Sequence, residues 1–124
     1  MTVRNSITCA RISDSPAQAG DRSAYEFCFN PEDPTFAGHF PTRPILPGIF
    51  QLEMARMAAE WVLNRSLALR EIRKAKFLRP ILPGEIVRVE LKLSQKDNII
   101  EARALFSVGG QPAGETHLLL WRSD

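Results

Sequence analysis

Residues Gly48–Ser66 read "GIFQLEMARMAAEWVLNRS", and this stretch decides the fold. It follows Pro47 directly, contains no further proline, and has no glycine after Gly48. Proline is favoured where helices begin, and a long uninterrupted apolar stretch is typical of a helix. Apolar side chains occur on most sides of this helix, which indicates that it is buried rather than laid on a surface. We therefore predict one long buried helix over Gly48–Arg65.

Sequence on both sides of this helix has the pattern of β-strands. Val87, Val89 and Leu91 alternate with charged residues, and Gly109–Gly110 is typical of a tight hairpin turn. A second turn is predicted at Asp97–Asn98. The strand-like segments are Ile7–Ile12, Ala24–Asn30, Glu71–Leu78, Ile86–Ser94, Ile99–Val108 and Glu115–Arg122. The predicted class is α+β, with one antiparallel sheet wrapped around one helix. A single helix cannot cover both faces of a sheet, so a dimer is expected.

Composition limits the function only loosely. The chain has 124 residues, is 44% hydrophobic and carries a net charge of +2, which predicts one ordinary globular domain over 1–124. The sequence shows neither a signal peptide nor a membrane-spanning stretch, so the cytoplasm is the expected location and no membrane partner is expected. Cys9 and Cys28 fit neither a disulfide framework nor a metal-ligand spacing. We expect no metal and no cofactor.

Basic residues are concentrated in the segment Arg65–Arg79, in which Glu71 is the only acidic residue. Such a segment is most often a solvated edge, but it can also be a dock for an acidic partner. Nucleic acid is a weak alternative, because Phe77 is the only aromatic residue there and no nucleic-acid-binding motif is present. We expect no nucleic-acid partner.

The hexapeptide "RPILPG" occurs twice, at Arg43–Gly48 and at Arg79–Gly84. Its flanks differ, since the first copy runs into the helix and the second into a strand. Two copies with different flanks do not make a repeat architecture, which needs at least three similar units. Exposed proline-rich ligands lie in segments of low hydrophobicity, whereas apolar elements adjoin both copies here. Both are best interpreted as loops that feed buried elements.

The first copy carries the residues suited to chemistry. Three prolines stiffen the loop that follows His39, and the loop ends at Gly48, where free helix amides gather. A histidine base, an amide aimed at a carbonyl oxygen and the carboxyl group of Glu53 suit proton abstraction next to a carbonyl. The structural alternative is open, because Glu53 shares a polar stripe with Arg56, Glu60 and Asn64. Periodicity alone favours a solvated face with modest ion pairing.

The segment "FAGHFPTRPILPGIFQLE", Phe36–Glu53, resembles the active-site signature of bacterial 3-hydroxyacyl-acyl-carrier-protein dehydratases, which show a GHFPxxPxxPG loop. His39 and Glu53 have the spacing of that family's histidine and carboxylate. The segment "KAKFLRPILPGE" is similar to the family's downstream "ARFxRPVxPGD" segment. The resemblance implies a hot-dog fold, in which an antiparallel sheet wraps around a long helix. It also implies a homodimer, or a higher homo-oligomer, with active sites at the subunit interface.

The resemblance further implies a substrate and roles. The substrate would be a 3-hydroxyacyl chain on the phosphopantetheine arm of an acyl carrier protein. His39 would take the C2 proton, the Gly48 amide would hold the thioester oxygen, and Glu53 of the other protomer would protonate the departing hydroxyl. The acyl tunnel would be lined by Phe50, Met54 and Met57, which core packing explains equally well. The carrier-docking residues would be Arg70, Arg73, Lys74 and Lys76, since opposite charge steers encounter.

The sequence departs from the family pattern after the proline loop. Where the family usually has "EAMAQ", this chain has "EMARM", with Arg56 in place of a small residue and Met57 in place of glutamine. The segment "PILPGIFQLE" is similar to shorter relatives of polyketide or aryl-polyene pathways. A hot-dog thioesterase and a non-catalytic acyl-carrier-binding subunit are the alternative functions. His117, in the last strand, is interpreted as structural or surface.

Overall fold

The computed structural model describes residues 2–12, 16–36 and 44–123. The described chain contains two α-helices, a short 3-10 turn and six strands. The helices are α1 (Val3–Ala10) and α2 (Gly48–Leu63), and the 3-10 turn is Pro34–Phe36. The strands are β1 (Ala17–Ala19), β2 (Arg22–Cys28), β3 (Leu67–Phe77), β4 (Ile86–Lys96), β5 (Ile99–Val108) and β6 (Gln111–Arg122). No helix within these ranges is both long enough and apolar enough to cross a bilayer.

The six strands form one antiparallel sheet in the order β1-β2-β4-β5-β6-β3. Strands β4, β5 and β6 follow one another as a meander, and β3 pairs with β6 at the far edge. Helix α2 packs against β3, β4, β5 and β6. This is the α+β arrangement that the sequence predicts, with one sheet wrapped around one long helix.

Alternation along the strands decides which face of the sheet the helix covers. Val87 and Val89 are completely buried on β4, whereas Arg88 between them is exposed. Small residues lie on both sides of the core: Ala55, Ala58 and Ala59 on α2, and Ala102 and Ala104 on β5, each at most 1% exposed. Small side chains let a helix axis approach a sheet closely, so little space is left in the core between α2 and β5.

The two predicted turns are confirmed. Asp97 has a positive φ of 57°, and Gly109 and Gly110 have φ values of 58° and 78°. Positive φ at both central residues is the geometry of the hairpin turn that matches strand twist, and glycine adopts it without steric strain. The last helical residue of α2 is Leu63. Asn64 follows it with a left-handed φ of 52°, which stops the helix close to the predicted end.

The predicted strand over Ile7–Ile12 is wrong in most of its length, because Val3–Ala10 is helical. The Thr2 side chain accepts a hydrogen bond from the Asn5 amide at 3.0 Å and so caps the helix. Six residues are too few to separate a strand period from a helix period when the buried partner is unknown. Only the last two residues show strand-like pairing, since Arg11 bridges Phe27 and the Ile12 amide donates to the Glu26 carbonyl at 2.9 Å.

Candidate active site

Among the described residues, no side chain caps the N-terminus of α2. Pro47 occupies the N-cap position, and the first turn contains no acidic residue. The Phe50 amide donates to the Pro47 carbonyl at 3.0 Å, while the amides ahead of it have no acceptor within the helix. The positive end of the helix dipole and these amides are therefore available to an oxygen that gains negative charge.

The two "RPILPG" copies meet beside this helix end. The Leu46 amide of the first copy donates to the Ile81 carbonyl of the second at 2.8 Å. Ile45, Leu46 and Gly48 of the first copy and Arg79, Pro80 and Ile81 of the second line a cavity of about 310 Å³. Gln51, Phe77 and Leu78 complete its lining. The second copy thus supplies one wall of the cavity at the start of α2.

The Phe77 ring packs closely against Gly48. A Cβ atom at residue 48 would lie 2.9 Å from Cε2 of the Phe77 ring. The ring is 52% exposed, so it lies over the helix start with one side open to solvent. The two family-like segments are therefore linked by direct packing, since the aromatic residue of one segment rests on the glycine of the other.

Glu53 is held by an arginine on its own helix. Arg56 Nε donates to Glu53 Oε1 at 3.1 Å and Arg56 Nη2 donates to Glu53 Oε2 at 2.6 Å. The Glu53 side chain is 28% exposed and the Arg56 side chain is 14% exposed. The hydrogen bonds to Glu53 raise the pKa of Arg56 above its usual value, although burial opposes this. The guanidinium of Arg56 and the carboxyl group of Glu53 therefore form a bidentate ion pair, which we call the fork, on the half-buried side of α2.

On the polar stripe of α2, Glu53, Arg56 and Glu60 form a half-buried network, so the expectation of a solvated face is wrong for these three residues and holds for Asn64, which is exposed. Glu60 is only 10% exposed, forms an ion pair with Arg56 Nη1 at 3.1 Å and accepts a hydrogen bond from Arg4 Nη2 at 3.0 Å. The Leu67 amide also donates to Glu60, at 2.9 Å. Helix α1 and the start of β3 cover this stripe, which periodicity along α2 cannot reveal. The expected ion pairing is present.

His39 lies outside the described residues, so its distance from Glu53 and its role as the base stay predictions. Of the other predicted catalytic and substrate-binding residues, Gly48 and Glu53 lie on the first two turns of α2. Phe50 is 5% exposed, and Met54 and Met57 are completely buried in the core of the subunit. Their contact with an acyl chain stays a prediction.

The predicted carrier-docking residues lie exposed along β3, but several have partners. Arg73 pairs with Glu71 at 2.8 Å, and Lys74 pairs across the strands with Glu115 at 2.9 Å. The hydrogen bond from Lys74 lowers the pKa of Glu115 below its usual value. Arg70 lies over the Trp121 ring at 4.9 Å from its centre, and Lys76 faces Glu115 across the β3–β6 pair. Much of the charge of this segment is thus balanced locally, and its carrier contact stays a prediction.

Sequence reasoning missed Gln51. This side chain is 3% exposed, and its Oε1 has no hydrogen-bond partner among the described residues. A Cβ atom at Gly114 would lie 2.5 Å from that Oε1 and 2.8 Å from the Lys76 carbonyl oxygen. The sequence did contain a signal for Gln51, because it is a polar residue one helical turn after Gly48 on a helix that is otherwise largely apolar. His117 is half-buried on β6 with Nε2 at 2.7 Å from Glu101 Oε1 on β5, as its structural reading suggests.

Comparisons with known proteins agree with this architecture. The model of the protein family described as "ApeI-like: ApeI dehydratase" matches residues 15–112. A 3-hydroxyacyl-acyl-carrier-protein dehydratase FabZ of Rickettsia akari (strain Hartford) is 34% identical over an alignment of 93 residues, and the match covers 68% of this chain. Another, from Granulibacter bethesdensis, is 37% identical over 90 residues. The chain spans 64% and 53% of these two proteins, less than two thirds of their length.

Solved structures share the fold. The dehydratase heterocomplex ApeI:P from Xenorhabdus doucetiae has a TM-score of 0.75 and 25% identity, covering 90% of this chain and 96% of that chain. A hypothetical thioesterase from Streptococcus pneumoniae, solved with coenzyme A, has a TM-score of 0.67 at 6% identity and covers 91% of this chain and 86% of its own. The second likeness concerns the fold alone. The hot-dog fold expected from the sequence is confirmed.

Proposed function

Because the chain belongs to the ApeI-like dehydratase family, we propose that it removes water from 3-hydroxyacyl thioesters on an acyl carrier protein and forms trans-2-enoyl thioesters. The observation that carries the proposal is the family match over residues 15–112, which includes both "RPILPG" copies and Glu53. The start of α2, where Pro47 makes no side-chain cap hydrogen bond, lies beside a cavity of about 310 Å³ and supports the proposal.

The first step is the loss of the C2 proton. The His39 imidazole takes this proton, and the electron pair of the C–H bond moves toward the thioester carbonyl. The Gly48 amide donates to the carbonyl oxygen as it gains negative charge. A fixed donor of this kind contributes about 10²- to 10³-fold in rate, because it needs no reorganisation as the charge develops.

The second step is the loss of the hydroxyl group. The electron pair forms the C2–C3 double bond while the C3–O bond breaks, and Glu53 gives its proton to the departing oxygen, which leaves as water. The imidazolium and the carboxylate then return to their starting forms by proton exchange with solvent. Arg56 uses one lone pair on each oxygen of Glu53, so the protonated carboxyl group keeps its O–H for the departing hydroxyl.

A second copy of the chain completes the site in this proposal. Strand β3 is at the sheet edge and exposes large apolar side chains: Leu69 at 42%, Ile72 at 44% and Phe77 at 52%. An edge strand that exposes large apolar side chains can pair with a strand of another chain. We propose that β3 pairs with its equivalent, which brings Glu53 toward His39 of the partner subunit. The Xenorhabdus structure is a heterocomplex, so the mass of the purified chain in solution tests for a homodimer or higher homo-oligomer.

The carrier protein and the compartment complete the proposal. An acyl carrier protein would approach the exposed basic residues of β3, and the reaction would take place in the cytoplasm. An increase in salt concentration should then weaken carrier thioesters as substrates more than small thioesters of the same acyl chain, because screening acts on exposed charges.

The deciding experiment incubates the chain with 3-hydroxyacyl carrier thioesters of several lengths and follows them by mass spectrometry. Loss of one water from the acyl chain is the expected result; His39→Ala should abolish it, and Glu53→Gln should leave only a small residual rate. Release of free carrier thiol would instead identify a thioesterase. Binding of carrier without any turnover would identify a non-catalytic subunit.

A further inference from the structure

We propose that Arg56 is the positioning residue for Glu53, and that its fork fixes the direction from which the carboxyl group meets the 3-hydroxyl. The inference rests on the proposed function, because it takes Glu53 as the group that acts on that hydroxyl. It assigns a role to the arginine that stands where related dehydratases have a small residue.

The geometry is that of a forked pair. Both oxygens of Glu53 are held by one planar guanidinium, at 3.1 and 2.6 Å. Two parallel hydrogen bonds fix the orientation of a carboxyl group as well as its position, which a single contact cannot do. A free glutamate on a helix surface would move among several rotamers and point its oxygens in different directions.

The guanidinium is itself held from other sides. Arg56 Nη1 donates to the Leu67 carbonyl at 2.9 Å and lies 3.1 Å from Glu60 Oε2. Glu60 Oε2 in turn accepts from the Leu67 amide at 2.9 Å. Arg56 thus ties Glu53 to the first residue of β3, the edge strand on which the proposed subunit partner is added. The helix that carries the carboxyl group and the strand that carries the interface are held in one fixed relation.

This arrangement has a kinetic consequence. A displacement of a catalytic group by about 1 Å can cost about 10²-fold in rate. Arg56→Ala removes both arms of the fork and should lower kcat about 10- to 100-fold. KM should change little, because Arg56 acts through Glu53 rather than through the body of the substrate. Arg56→Lys keeps a positive charge without the fork and should recover only a small part of kcat.

The experiment compares the full chain with Arg56→Ala, Arg56→Lys, Glu53→Gln and the double variant Glu53→Gln with Arg56→Ala. Arg22→Ala is the control. It also removes an arginine that forms an ion pair with a glutamate, since Arg22 pairs with Glu90 at 2.6 Å, but both residues are on the sheet and neither belongs to α2. The values of kcat and KM are measured with one 3-hydroxyacyl thioester, well below the melting temperature of the least stable variant. If Arg56 acts through Glu53, its removal should change the residual rate of the Glu53→Gln protein by less than about twofold.

The outcomes separate the two proposals. Normal kcat in Arg56→Ala, with a large loss of kcat in Glu53→Gln, would overturn the positioning role and leave the proposed function standing. Equal losses from Arg56→Ala with and without Glu53 would also overturn it, because Arg56 would then act independently. Full activity in Glu53→Gln would remove Glu53 from the mechanism, and the positioning role with it. No dehydration by the unmodified chain would refute the proposed function itself.

Discussion

Gly114 lies where β6 passes between the Gln51 side chain and the backbone of β3, and the substitution Gly114→Ala should strongly destabilise the protein. The added Cβ atom would lie 2.5 Å from Gln51 Oε1 and 2.8 Å from the Lys76 carbonyl oxygen. Real Cβ atoms essentially never come this close to another heavy atom. Something must move, and the size of the effect depends on which neighbour can do so.

Neither neighbour of Gly114 moves cheaply. Gln51 is 3% exposed, so its amide has little free space to enter. The Lys76 oxygen is backbone of β3 beside the Gly114–Phe77 pair, and Gly114 also pairs with Phe106 on β5. Overpacking of this kind typically costs about 1–3 kcal/mol. Because the strand backbone is involved, we expect the upper part of that range, about 2–3 kcal/mol.

Urea denaturation followed by circular dichroism measures this quantity, at one protein concentration so that association does not differ between samples. A domain of this size loses about 3–6 °C in melting temperature for each kcal/mol, which predicts a decrease of about 6–18 °C. The double variant with Gln51→Ala relieves the side-chain contact and leaves the backbone contact, so it should recover part of the loss. A Gly114→Ala protein as stable as the unmodified chain would refute the packing described for β6.

Three further predictions concern other parts of the molecule. Gly48→Ala places a Cβ atom 2.9 Å from the half-exposed Phe77 ring, which can move aside, so melting temperature should change little; a decrease as large as that expected for Gly114→Ala would contradict this. Burial acts to raise the pKa of Asp33, but hydrogen bonds from Thr35 outweigh it and hold this pKa below its usual value. The contribution of Asp33 to stability is therefore present above the usual aspartate pKa and is lost as pH falls through the lowered pKa. Asp33→Asn should therefore flatten the acid side of the stability–pH curve, and an unchanged curve in acid denaturation would argue against this. Thr2→Ala removes the cap of α1 and should lower the free energy of unfolding by about 1 kcal/mol in urea titrations.

The residues of the candidate site differ in how far the sequence could specify them. Gly48 and Glu53 could be placed from the motif and from the helix start, because both lie within two turns of Pro47. The Arg56 fork involves neighbours on the same helix, and the spacing of three residues already allowed it. The contacts that brace Arg56 come from Leu67, on a strand that begins after the helix has ended. No local period reports such contacts.

The sequence by itself determined the elements whose signals are local. Helix α2 begins after Pro47 and is apolar on most sides, and the glycine pair at 109–110 makes a turn that few other residues tolerate, so these elements follow from short-range sterics and burial. Tertiary structure alone decided that Ile7 belongs to a helix, that the stripe containing Glu60 is covered, and that the two "RPILPG" copies meet through Leu46 and Ile81. Each of these depends on segments that are distant along the chain and share one core, and burial between distant segments leaves no periodic trace in either of them.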